Sequence, residues 1–286
     1  MKWFILLISA VALSFLIIFI TGHCHRTYAT FSPSQVLSFK GREIRADELA
    51  QQYKPRIFLP QGFSSPPLLR IWYEVIPYGN QVVLVYHACW QDEIHPLPIA
   101  QWLYKAFRAV YYGYPTIDVE FIQVNLDVET GEIVRIRFES GPEGPFDRLF
   151  SEHLQVIVEK TSAGSYTRIV KTTNGDIISI GENFPLAGEQ HLNFGIQTWN
   201  HLLLLLPPDE HGIYTNQQVA ELEYLSDSEY ALYKFCRKSQ GDFAVKENRL
   251  WYMIPLLIVS LVTLLPFVFQ VWKVVHRARA KRGNRR

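Results

Sequence analysis

Two kinds of hydrophobic pattern share this chain: unbroken apolar runs near its ends and short alternating ones between them. Leu69 to Ile76 and Gln81 to Cys89 read as two strands joined by Pro77-Tyr78-Gly79-Asn80, a tetrapeptide rich in turn formers. In the second strand Val82, Leu84, Tyr86 and Ala88 fall on one face and Val83, Val85, His87 and Cys89 on the other. Both faces are apolar enough to predict a strand covered on both sides. Val119 to Leu126 and Ile133 to Glu139 form a further hairpin around Thr130-Gly131. On its return arm Val134, Ile136 and Phe138 alternate with Arg135, Arg137 and Glu139, one face buried and one wet. Leu154 to Lys160, Tyr166 to Thr172 and Asp176 to Ile180 continue the series, the last two joined around Asn174-Gly175.

Helical spacing is clearest after Pro96 and Pro98, which suit the opening of a helix. Ile99, Trp102, Leu103, Ala106, Phe107 and Val110 make a complete apolar stripe, opposite Gln101, Lys105 and Arg108. This predicts a helix over Ile99 to Tyr112 that packs on the sheet through Trp102, Leu103 and Phe107. The aromatic-rich stripe also fits a helix lying on a membrane surface. Pro145 to His153 allows a short helical turn. Phe194 to Leu206 ends in five leucines before Pro207-Pro208. It is too short, and too polar at Gln197, Asn200 and His201, to cross a bilayer, so it reads as a buried core segment. Asn216 to Leu225 and Ser228 to Lys238 read as helices with Thr215 and Ser226 as N-caps. The fold class expected is α+β: a mainly antiparallel β-sheet or sandwich with one inserted amphipathic helix, flanked by N- and C-terminal transmembrane helices.

The flanking runs set the expected topology. Trp3 to Ile20 is 18 residues without a charge, long enough to span a bilayer. It reads as an uncleaved anchor; a signal peptide cleaved near Ala29 is the alternative. Leu250 to Trp272 is 23 uncharged residues with Trp251, Tyr252 and Trp272 at the interfacial positions. Seven of the fourteen residues after it are Lys or Arg and none is acidic, which places that tail in the cytoplasm. The expected division is an anchor over 1–21, a polar stalk over 22–50, an extracytoplasmic domain over 51–249, a transmembrane helix over 250–272 and a basic tail over 273–286. Both termini are then cytoplasmic at the plasma membrane.

Composition adds less. All 27 acidic residues lie between the runs, against 20 of the 28 basic ones, a balance of −7. That speaks against nucleic acid and against docking on anionic lipid headgroups; the partners expected are the lipid bilayer that holds the two anchors and an envelope protein. Three cysteines are too few for a disulfide scaffold; Cys89 with Cys236 is the pairing to expect if one forms, and buried free thiols are the alternative.

Common catalytic signatures are missing: no Gly-x-Ser-x-Gly, His-Glu-x-x-His, P-loop, dinucleotide glycine fingerprint or CxxC pair occurs. Two clusters remain. His87, Cys89, Asp92, Glu93 and His95 crowd the exit of a strand into a loop, where sites are often built. Core packing of His87 and Cys89 with solvated loop carboxylates explains the same residues. Asp118 and Glu120 share one face of a strand and either bind a cation or share a proton, or stand exposed at the strand start. Asp92, His95, Asp118 and Glu120 are the catalytic candidates, and His95, Asp118 and Glu120 the candidate ligands of a divalent metal. No other cofactor is expected.

A resemblance rests on Tyr53 to Leu59, on Trp72-Tyr73 and Val85-Tyr86, and on Asp118-Val119-Glu120 opening a strand that ends in Leu126-Asp127-Val128-Glu129-Thr130-Gly131-Glu132. This order resembles domains of the vacuolar protein sorting 62 type, β-rich modules with a His-x-x-Asp-Trp-Glu motif before a similar strand. In the matching stretch, Pro115 to Glu120, Asp118 and Glu120 agree while Pro115 and Val119 replace the His and Trp. The resemblance covers Tyr53 to Glu139 and implies a β-rich fold without an activity to transfer. The expected function is binding or scaffolding of an envelope partner or ligand. The alternative is an extracytoplasmic hydrolase, with or without a metal.

Overall fold

In this computed structural model the described residues are 24–102, 104–105, 117–141, 153–172, 174–184, 186, 191–207, 212–233 and 245–247, with scattered positions between 9 and 13 and between 257 and 273. The chain divides into two compact units, one of Arg26–Glu229 with Lys238–Ala244, the other of Met1–His25, Tyr230–Arg237 and Val245–Arg286.

The first unit is mainly β. After β1 (Cys24–Arg26), of which Cys24 and His25 belong to the second unit, come a hairpin of β2 (Val36–Phe39) and β3 (Arg42–Arg45), the helix Ala46–Gln52, and β4 (Arg56–Pro60). Six long strands follow: β5 (Leu68–Tyr78), β6 (Gln81–Trp90), β7 (Asp118–Asp127), β8 (Ile133–Ser140), β9 (Leu154–Lys160) and β10 (Tyr166–Thr172). The shorter β11 (Ile177–Gly181), β12 (Asn193–Ile196), β13 (Leu203–Leu205), β14 (Tyr214–Gln218) and β15 (Glu221–Tyr224) precede the helix Asp227–Tyr233. In the second unit, β16 (Val245–Glu247) pairs with β1.

An eight-stranded sheet runs β11-β10-β9-β8-β7-β6-β5-β15, antiparallel except at β5–β15. Facing it is a four-stranded sheet, β13-β12-β4-β14, in which β12 runs parallel to β4. One core joins them: Ile71, Val75, Leu84, Tyr86, Ile122, Val124, Ile136 and Phe138 from the large sheet meet Ile57, Leu59, Phe194, Ile196, Leu203 and Leu205 from the small one. The period-two alternation therefore does what a sandwich requires, sending every second side chain into the shared core.

Several expectations are corrected. Residues 36–52 are no stalk: Phe39, Ala46, Leu49 and Ala50 are buried in the core, and the Tyr86 hydroxyl donates to the Ala50 carbonyl at 2.8 Å. Asn216 to Leu225 is not a helix but β14 and β15, completing the edges of the two sheets. Phe194 to Leu206 is buried as expected, yet as two antiparallel strands. Trp102 and Ile99 are 71% and 82% exposed, so they do not pack on the sheet. Leu103 and Phe107 lie outside the described residues. Cys89 is a free, buried thiol and forms no disulfide. Ser226 does cap a helix: its hydroxyl accepts from the Glu229 N–H at 3.3 Å while the Glu229 carboxylate accepts from the Ser226 N–H at 3.2 Å. Among the described residues no helix is long and apolar enough to cross a membrane; the two terminal runs lie largely outside them.

Candidate functional site

The site forms at one end of the core, where the ends of β6 and β7 meet two connections. β6 ends at Trp90 and β7 begins at Asp118, and the antiparallel register sets these residues opposite each other. Because side chains alternate along β7, Asp118 and Glu120 both take the core face occupied by Ile122 and Val124. They are not exposed strand-start residues: Asp118 is 4% and Glu120 1% exposed.

One connection joins β12 to β13. Its turn is tied by Thr198, whose carbonyl accepts from the His201 N–H at 3.1 Å and whose hydroxyl accepts from the Leu202 N–H at 3.0 Å. His201 sits in the left-handed region at φ 61°, a conformation that costs a side chain with a Cβ and so needs a reason. That conformation accompanies a ring buried completely, stacked on Trp90 with centroids 4.5 Å apart and planes within 4°.

The other connection, residues 61–67 between β4 and β5, carries Ser65. It is tied down where the Gln91 N–H donates to the Pro67 carbonyl at 3.1 Å. Ser65 Oγ lies 2.7 Å from His201 Nε2, and His201 Nδ1 lies 2.7 Å from Asp118 Oδ2. In the neutral tautomer that carries its proton on Nδ1, the ring donates to the carboxylate and Nε2 accepts from the serine hydroxyl. The Pro66 carbonyl, 3.1 Å from Oγ, is the competing acceptor. A hydroxyl, an imidazole and a buried carboxylate thus stand in series.

Two indoles lie in this neighbourhood: Trp90 stacks on His201, and Trp199, two residues before it in sequence, packs against His95. Both Nε1 atoms are buried and have no hydrogen-bond acceptor among the described residues.

The sequence candidates separate. Asp118 joins the series; Glu120 shares its face one alternation away. Asp92 pairs with Lys105 at 2.8 Å. The His95 ring packs against Trp199 at 4.7 Å and Tyr104 at 6.3 Å. Glu93 is buried and accepts from the Tyr104 hydroxyl. Among the described residues no three His, Cys, Asp or Glu side chains stand where they could hold one metal ion. Asp118 instead finds its imidazole in His201. His87 and Cys89 lie on the opposite face of β6, where His87 Nε2 is 2.8 Å from Glu74 Oε2 and burial pushes the Cys89 thiol well above its ordinary value. Ser65 does not stand out in the sequence. The one available signal was His201 itself, a titratable ring inside an apolar segment, which needs a partner if buried.

Comparison with known proteins adds a fold likeness only. No family model matches the chain, and no curated protein matches it. Among solved structures, the chain is similar to NLPPya in complex with mannosamine at 12% identity and a TM-score of 0.31, over 62% of this chain and 71% of that one. A second structure, titled a toxin fold for microbial attack and plant defense, matches at 12% identity and a TM-score of 0.31, over 69% of this chain and 81% of that one.

Proposed function

We propose that the sandwich is a serine hydrolase that cleaves an acyl ester through Ser65, His201 and Asp118. The observation that carries this reading is the pair of 2.7 Å contacts that put one imidazole between a hydroxyl and a buried carboxylate. The chemistry follows from the order of the groups. Ser65 Oγ attacks the acyl carbon while His201 Nε2 takes the hydroxyl proton. Asp118 holds the ring in the required tautomer and stabilises the imidazolium. The proton then passes to the departing alcohol as its bond to the acyl carbon breaks, leaving the acyl group on Ser65. Water, activated by the same nitrogen, releases the acid and restores the serine. This reading keeps the hydrolase alternative and Asp118 from the sequence while replacing the metal with a serine.

The kinetic test uses a chromogenic ester and the full chain. Ser65→Ala should abolish turnover, and Asp118→Asn should lower kcat by roughly 10⁴-fold, as expected when the ring loses its tautomer. Equal rates for wild type and Ser65→Ala would remove the proposal.

The setting proposed is a plasma membrane, with both termini cytoplasmic and the sandwich outside. It is supported by the two uncharged runs and the basic residues after Leu250–Trp272. A reporter inserted at Gly164, in the turn after β9, should read as extracytoplasmic, and a cytoplasmic signal there would refute the topology.

A further inference from the structure

Residues 94–102 are built inside out. This stretch of nine carries no charged side chain, and Ile94, Leu97, Ile99 and Trp102 are 54%, 46%, 82% and 71% exposed. Its polar groups turn inward. Gln101 accepts from the His95 N–H and donates to the Glu93 carbonyl at 3.0 Å, while His95 Nδ1 accepts from the Leu97 N–H at 3.0 Å. The segment is therefore pinned by its own hydrogen bonds with its apolar side chains left outside. Single exposed apolar residues are ordinary; four within nine uncharged residues are the mark of a surface that meets another phase or molecule.

We infer that this segment seats on the surface of a lipid bilayer. The absence of charge leaves nothing for a charged protein partner to recognise. Leu, Ile and Trp on a short helical turn are the residues that partition into the headgroup boundary, Trp best of all. The uncharged runs Trp3–Ile20 and Leu250–Trp272, the latter followed by seven basic residues, bring a bilayer within reach of the same chain. The segment also leads into the site, since it follows the Trp90 that stacks on His201 and places His95 against Trp199. Resting on the hydrolase reading, this names the substrate class as esters of membrane lipids.

The docking itself is tested without turnover. The full chain is reconstituted in phosphatidylcholine vesicles whose acyl chains are brominated close to the headgroup, and the wild type is compared with Trp102→Phe. The difference between them isolates Trp102 from the other six tryptophans. That component should be quenched by the brominated lipid, and the double change Ile99→Asp and Leu97→Asp should abolish the quenching. These side chains are exposed, so the substitutions leave the core intact. If brominated and ordinary lipid give the same Trp102 component, the inference fails. The same holds if Trp102 becomes shielded only as the protein concentration rises, because a second copy then covers it. Loss of all ester turnover with Trp102 still quenched would instead overturn the hydrolase reading alone.

Discussion

Glu74 is a charge placed where a sheet can tolerate it only with partners. It is completely buried on the face of β5 turned away from the shared core. Arg26 Nε lies 2.7 Å from its Oε1, the Tyr28 hydroxyl donates to the same oxygen at 3.1 Å, and His87 Nε2 takes Oε2. Burial alone would push this carboxyl up. The hydrogen bond and charge of His87, then Arg26 and Tyr28, outweigh it and hold the group below its ordinary 4.5. A depressed folded-state value means stability that is present above 4.5 and lost as pH falls through that lower value. Glu74→Gln should therefore cost about 3 kcal/mol near neutral pH, the scale of breaking a buried pair. The melting curves of wild type and variant should converge in acid, and a gap that stays constant with pH would refute this assignment. The same physics explains why the Ser65 series was hard to read from sequence. Asp118 was singled out because it shares one face of a strand with a second carboxylate, Glu120. Ser65 and His201 were not, because each becomes meaningful only when connections 136 residues apart are brought to 2.7 Å.

At the scale of elements, the long strands were legible and the short ones were not. β5 to β10 each carry seven or more residues of alternation, and β5–β6, β7–β8 and β9–β10 are joined by short turns with strong local chemistry. Gly79 and Gly131 take φ of 61° and 70°, the left-handed conformation those turns require. The small sheet has strands of three to five residues, too few for a period to show. Its pairing of β4 with β12 joins segments far apart in the chain, which no local pattern encodes. Its tight point is Gly195 on β12, where a Cβ would meet the Tyr214 ring at 2.5 Å. Gly195→Ala should cost about 1–3 kcal/mol through overpacking, read as a lower midpoint of chemical denaturation. An unchanged midpoint would show that Tyr214 moves aside freely.

For the whole molecule, the fold explains the site better than any motif does. A sandwich with two faces in one core leaves its connections at the ends, and two of them meet the ends of β6 and β7 at Asp118, His201 and Ser65. The class was legible only coarsely: a mainly β protein of several sheets, with few and short helices among the described residues. The most direct test of the account is reaction of the full chain with a fluorophosphonate, which labels a serine only when a neighbouring base activates it. The account predicts a single phosphonylated residue, Ser65, found by peptide mapping, with labelling lost in His201→Ala. Labelling at another serine, or none while the protein remains folded, would contradict it.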